Sequence, residues 1–171
     1  MGRQNEISWL LFNENCHVNY TAGIQKFYGR NRNEMAAVHL TVSYCVPSLL
    51  YVCELWTLNS SAYHKMNVIW NYAFRKIFQC CWRENVSCLL YYCKVFPLSY
   101  ITDQRKMLLL QKMKNCDNSI VRMLSTLHNI GKLMSKYSMQ NLCITTSMLK
   151  QRLWEHFVDT SITNGKIVVF T

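Results

Sequence analysis

The chain is poor in backbone punctuation and poor in acid. Its 171 residues include two prolines and five glycines, too few for the many tight turns of a β-sandwich, so long helices are permitted. Acidic residues number nine against nineteen basic ones. The nine are Glu6, Glu14, Glu34, Glu54, Glu84, Glu155, Asp103, Asp117 and Asp159. No two adjoin in a way that would hold a pair of magnesium ions for phosphoryl transfer, and a Gly-rich phosphate loop is missing too. No apolar run has the roughly twenty residues that cross a bilayer. The most apolar window, Leu40 to Val52, holds Pro47 and reads as buried core. Met1 to Glu14 carries one arginine, polar residues and a short Trp9–Phe12 run, without the length or cleavage site of a secretory leader. The expectation is an intracellular protein, nuclear or cytoplasmic, with no membrane partner.

Cysteine is plentiful, nine residues in all, and in that compartment it reads as reduced thiol rather than disulfide framework. Cys80, Cys81, Cys88 and Cys93 lie near one another, but no histidine falls among them. Zinc sites need ligand pairs that fold back on each other, usually with histidine. The four therefore read as small core hydrophobes, and neither metal nor cofactor is expected. His39 and Cys45, six residues apart on a helix, face away from each other and make no nucleophile–base pair.

What is present is apolar content and positive charge. Half of the residues are hydrophobic and the formal net charge is +10. The first supports a domain with a real core; the second creates a field that polyphosphate would feel. Leucine, methionine and lysine favour helices, so a mostly α protein is expected.

Residues 1–32 are expected to be an irregular lead-in, in which Trp9–Phe12 would suit a short strand and Ile24, Phe27 and Tyr28 a helical turn or two before Gly29. From Asn33, a cap residue, Ala37, Leu40, Val42, Tyr44 and Cys45 recur at helical spacing. Pro47 either ends this helix or kinks it. Asn59, Ser60 and Ser61 are cap candidates for the next helix. There Tyr63, Met66, Trp70, Ala73, Phe74 and Ile77 share a core face at about 100° per residue. The opposite stripe holds Lys65, Tyr72, Arg75, Lys76 and Gln79.

Leu89, Leu90, Tyr92 and Val95 give an apolar segment ending at Pro97. Ser99 then caps a helix with Ile101, Leu108, Leu109 and Met113 inward and Arg105, Lys106, Lys112 and Lys114 outward. Ser119 caps another, with Ile120, Leu124, Leu127, Ile130 and Met134 inside. A last helix starts near Ser147 with Leu149, Leu153, Trp154 and Phe157. Asn164-Gly165 between β-prone runs marks a C-terminal hairpin or a frayed end, residues 159–171.

Several of these motifs occur in order: Pro47-Ser-Leu-Leu-Tyr51-Val-Cys-Glu54-Leu-Trp56, then Phe74-Arg75-Lys76-Ile77, Trp82-Arg83, Pro97-Leu98-Ser99 and Asp103-Gln-Arg-Lys-Met. This series, over roughly Asn33 to Met113, resembles the C-terminal thumb and connecting region of reverse transcriptases from non-LTR retrotransposons. The family commonly has glycine where this chain has Val52, and the palm motif with its paired aspartates is missing here. The resemblance implies a lead-in left from a palm at 1–32 and a helical thumb-like domain over 33–158. It also implies that the module grips a template and primer by their backbones without polymerase catalysis. RNA, DNA or a hybrid would be held weakly through Lys65, Arg75, Lys76 and Arg83, then Arg105, Lys106 and Lys112, in a salt-sensitive and sequence-nonspecific way. Two alternatives stand beside it: a helical module docking a protein partner through Trp82, Tyr91 and Trp154, and a remnant without function.

Overall fold

The computed structural model describes residues 33–51, 53, 59–127, 130–139 and 145–165. Among them every regular element is helical. The expected lead-in strand and turn, and Val52, Glu54 and Trp56 of the motif series, lie outside the described residues. Contacts divide the chain into two units, Met1–Val52 with Thr57–Val95, and Cys53–Trp56 with Phe96–Thr171.

Among the described residues the first unit opens with α1, Glu34–Leu40, which Asn33 caps by accepting from the Ala36 N–H at 3.1 Å. A π-helical turn, Thr41–Cys45, follows directly, and then the short α2, Val46–Leu49. Pro47 thus neither ends the helix nor sits in a regular interior. It falls in the first turn of α2, where a proline's missing N–H and fixed φ are tolerated. Because i→i+5 bonding widens the turn, the buried side chains run Ala37, Val38, Thr41, Val46, Leu49 and Leu50. Tyr44 and Leu40, expected inside, are exposed, and Val42 and Cys45 are half-buried. Thr41 is fully enclosed and its hydroxyl donates to the Ala37 carbonyl at 2.8 Å.

α3, Ser60–Phe78, is the longest described helix of this unit. Asn59 caps it through the Ala62 N–H at 2.7 Å. Met66, Trp70, Ala73, Phe74 and Ile77 are buried as the spacing requires, and Tyr63 is half-buried. Each large member contributes roughly 1.5–3 kcal/mol by leaving water. The Trp70 and Phe74 rings meet edge to face at 5.1 Å. α1 and α4, Val86–Tyr92, both pack on α3. In α4 Val86 and Leu90 are the buried residues, whereas Tyr92 points to solvent rather than into the core.

The second unit is arranged around α5, Leu98–Lys114, which touches α6, Ser119–Leu127, α7, Ile130–Lys136, and α8, Thr146–Thr163. Pro97 occupies the N-cap of α5, so Ser99 lies inside the first turn instead of capping it. Its buried residues are Leu98, Tyr100, Thr102, Met107 and Leu110, not the expected Ile101, Leu108, Leu109 and Met113, which are half-buried. A helix with three neighbours has no single apolar stripe to read. Asn118, one residue before the predicted Ser119, caps α6 by accepting from the Ile120 N–H at 2.9 Å. Ile120, expected inside, is 68% exposed.

α8 starts from Thr145, whose hydroxyl accepts from the Met148 N–H. It buries Leu149, Leu153 and Phe157; Trp154 is half-buried against Phe96 and Phe157. The helix runs on to Thr163, so the hairpin expected over 159–171 is corrected: its first strand is the last turn of α8. Asn164-Gly165 stops a helix here. The Asn164 amide donates to the Thr160 carbonyl at 2.7 Å and Gly165 turns to φ 63° with its N–H on Ile162. Tolerance of positive φ serves a helix C-terminus as well as a hairpin turn. The second run of the predicted hairpin lies outside the described residues.

Candidate nucleic-acid interface

Glycine is scarce, and among the described residues three helical ends are closed by other residues in the left-handed region: Gln79 and Lys94 at φ 54° and Ser138 at φ 51°. At each one the next N–H reaches back five residues, Cys80 to Arg75, Val95 to Leu90 and Met139 to Met134. This is the Schellman closure. The first of them positions the candidate site.

Past Gln79 the chain makes a tight turn, Cys81–Glu84, closed by the Glu84 N–H on the Cys81 carbonyl at 3.1 Å. Trp82 and Arg83 are its two central residues. The Arg75 guanidinium, one helical turn back on α3, donates through Nη2 to the Glu84 carbonyl at 3.2 Å. Asn85 then caps α4 by accepting from the Ser87 N–H at 2.9 Å. The turn is therefore tied to α3 on one side and α4 on the other. Trp82 is 73% exposed all the same.

Two cations lie over aromatic rings at this end of α3. The Lys76 ammonium is 5.5 Å from the centre of the Tyr72 ring, and the Arg83 guanidinium is 5.0 Å from that of Trp82. Tyr72, Lys76, Trp82 and Arg83 all reach solvent. Lys65 is exposed three helical turns earlier on the same face as Tyr72 and Lys76, about 16 Å from Lys76 along the axis. Arg75 differs from its neighbours. It is half-buried, with its Nε buried and without a hydrogen-bond partner, and through its Nη2 bond to Glu84 it holds the turn in addition to carrying charge. Arg75 and Lys76 also face the carbonyl end of α3, where positive charge is favourable.

Burial raises the Cys80 thiol above the ordinary thiol range, and Glu84 adds to the rise by hydrogen bond and charge, against an opposing effect of Arg75. A thiol held protonated is the reverse of an activated nucleophile. Burial likewise raises Cys93. Among the described residues no three of His, Cys, Asp or Glu converge as metal ligands. No described helix is long and apolar enough to cross a membrane.

The seven predicted contacts fall into two bodies. Lys65, Arg75, Lys76 and Arg83 belong to the first unit; Arg105, Lys106 and Lys112 belong to the second. On α5, Arg105 and Lys106 are half-buried and Lys112 is exposed in the last turn.

Sequence reasoning missed a polar clasp in the second unit. Asp103 accepts from Lys136 Nζ at 2.6 Å and from the Tyr137 hydroxyl at 2.7 Å, while the Tyr100 hydroxyl and His156 Nδ1 are 3.0 Å apart. The partners are 33 to 56 positions apart, so no local spacing could have announced them. The role of Arg75 was hidden for a related reason: an arginine near a helix end looks the same whether it faces solvent or ties down a turn.

No protein-family model, no curated protein and no solved structure matches the chain.

Proposed function

We propose that the protein is a non-catalytic nucleic-acid-binding module of the kind its motif series resembles, the thumb-like part of a non-LTR retrotransposon reverse transcriptase. It grips RNA, DNA or a hybrid through the sugar–phosphate backbone. The observation that carries this reading is the pairing of exposed cation with exposed ring, Lys76 on Tyr72 and Arg83 on Trp82, at one end of α3 in a chain of net charge +10. Phosphates are drawn to such cations, and a ring beside each offers a surface for a sugar or base. Lys65 and Arg75 extend the charge along α3, and Arg105, Lys106 and Lys112 supply a second basic surface on α5. An intracellular setting, nuclear or cytoplasmic, goes with this partner and with reduced cysteines.

Titration of labelled RNA, DNA and hybrid duplex at two salt concentrations tests the reading. Binding to all three that weakens steeply as salt rises is expected, because each phosphate contact releases counterions. Binding insensitive to salt would sink it.

A second reading, a helical protein-interaction module, draws on α6, where Ile120 and Met123 are exposed three residues apart on one face. Recovery of a partner that survives nuclease treatment would favour it. Of the aromatics first assigned to that role, Trp82 is exposed, but Trp154 is engaged with Phe96 and Phe157.

A further inference from the structure

Exposed tryptophan on a mobile loop is cheap to hide, but the turn bearing Trp82 is held at three points. The Cys80 N–H is bonded to Arg75, the Glu84 N–H closes the turn on Cys81, and the Glu84 carbonyl accepts from the Arg75 side chain. With the turn so fixed, its central residues project outward, and the indole remains 73% exposed. Arg83 lies against the ring at 5.0 Å. A guanidinium on an aromatic face fixes the ring's orientation and adds positive charge beside it.

Resting on the nucleic-acid reading above, we infer that Trp82 is a stacking platform for an unpaired base, which makes single-stranded nucleic acid the favoured ligand. The reason is geometric. Inside a duplex each base has both faces covered by its neighbours, so a flat exposed ring has nothing to stack on except at an end. A single strand offers its base faces freely, and every base has one. The Trp82 ring takes the base while Arg83, next to it in the turn, meets a flanking phosphate. Lys76 on α3 adds a further phosphate contact. Phosphate contacts alone do not distinguish paired from unpaired strands, so discrimination falls to the indole. Arg75 is a positioning residue: it orients the turn without needing to touch the ligand.

The test uses the full chain, a labelled homopyrimidine single strand and a blunt duplex of the same length, with anisotropy as readout. The wild type should bind the strand more tightly than the duplex. Trp82→Ala should weaken strand binding by roughly 5- to 150-fold, the range for one base–aromatic stack, and leave duplex binding nearly unchanged. Trp82→Phe should recover much of the loss. Because Trp82 is a surface residue, the urea midpoint of Trp82→Ala should match the wild type, which separates lost binding from lost folding. Equal affinity for strand and duplex, or no loss on Trp82→Ala, would overturn the stacking role while salt-sensitive binding kept the backbone reading intact. Failure to bind either probe at low salt would overturn both.

Discussion

Lys94 closes α4 in the left-handed region at φ 54°, with the Val95 N–H bonded to the Leu90 carbonyl at 2.9 Å, and it lies at the surface. Its replacement by glycine should therefore stabilise the first unit. A residue with a Cβ loses about 1–2 kcal/mol in this conformation. Glycine avoids that loss but gives back about 0.5–1 kcal/mol through the greater freedom of the unfolded chain. Taken at the middle of each range, about 1.5 against about 0.75 kcal/mol, the difference leaves a gain of about 0.75 kcal/mol. With a urea dependence of about 2 kcal/mol/M, the midpoint of unfolding should rise by roughly 0.3–0.5 M at unchanged slope. Gln79→Gly and Ser138→Gly meet the same geometry and should behave alike. Arg122→Gly, at an exposed position inside α6, is the control and should cost about 1 kcal/mol. A midpoint that stays put or falls on Lys94→Gly, with the slope preserved, would refute the reasoning.

Two further outcomes follow from buried polar groups. Trp70 is 1% exposed and its Nε1 has no hydrogen-bond partner, so Trp70→Phe removes an unpaired donor along with some packing. The two effects oppose, and calorimetry should find a loss of about 1 kcal/mol or less, well under the 3–5 kcal/mol of a large-to-small truncation such as Trp70→Ala. Burial holds the Tyr100 phenol above its usual range, Asp103 adds to this, and a hydrogen bond with Thr160 opposes it. The neutral phenol is thus the native form. Its contribution is complete below the unfolded value of about 10 and is lost as pH rises through the higher folded value. Denaturation followed against pH should show the second unit weakening on the alkaline side, less so in Tyr100→Phe; identical profiles for the two proteins would contradict the assignment.

Legibility varied with how many neighbours a helix has. α3 and α8 each lay one face on the core, and of the core residues named for them Met66 to Ile77 and Leu149, Leu153 and Phe157 are buried, while Tyr63 and Trp154 are half-buried. Their starts were also marked in the sequence, by Asn59 and within two residues of Thr145. Between α1 and α2 the π-helical turn shifted the buried face by one position, from Cys45 to Val46, and no propensity foretells such a turn. α5 defeated periodicity because helices cover it on several sides. Asn164-Gly165 marks a place of positive φ, taken up by Gly165, but what precedes it is the last turn of α8, with Ser161 buried, and not a strand. At the candidate site the cations and rings were visible as residue types. Their pairing was not, since it arises from a turn that Arg75 draws against α3.

The claim that Lys76 and Arg83 contact phosphate is tested most directly by the salt dependence of binding in the double variant Lys76→Gln/Arg83→Gln. Each lost phosphate contact removes about 0.7–0.9 from the slope of log affinity against log salt. The double variant should bind more weakly at low salt, with a slope shallower by roughly 1.4–1.8 than that of the wild type. An unchanged slope would mean that neither residue meets the backbone, and the nucleic-acid interface at the end of α3 would have to be abandoned.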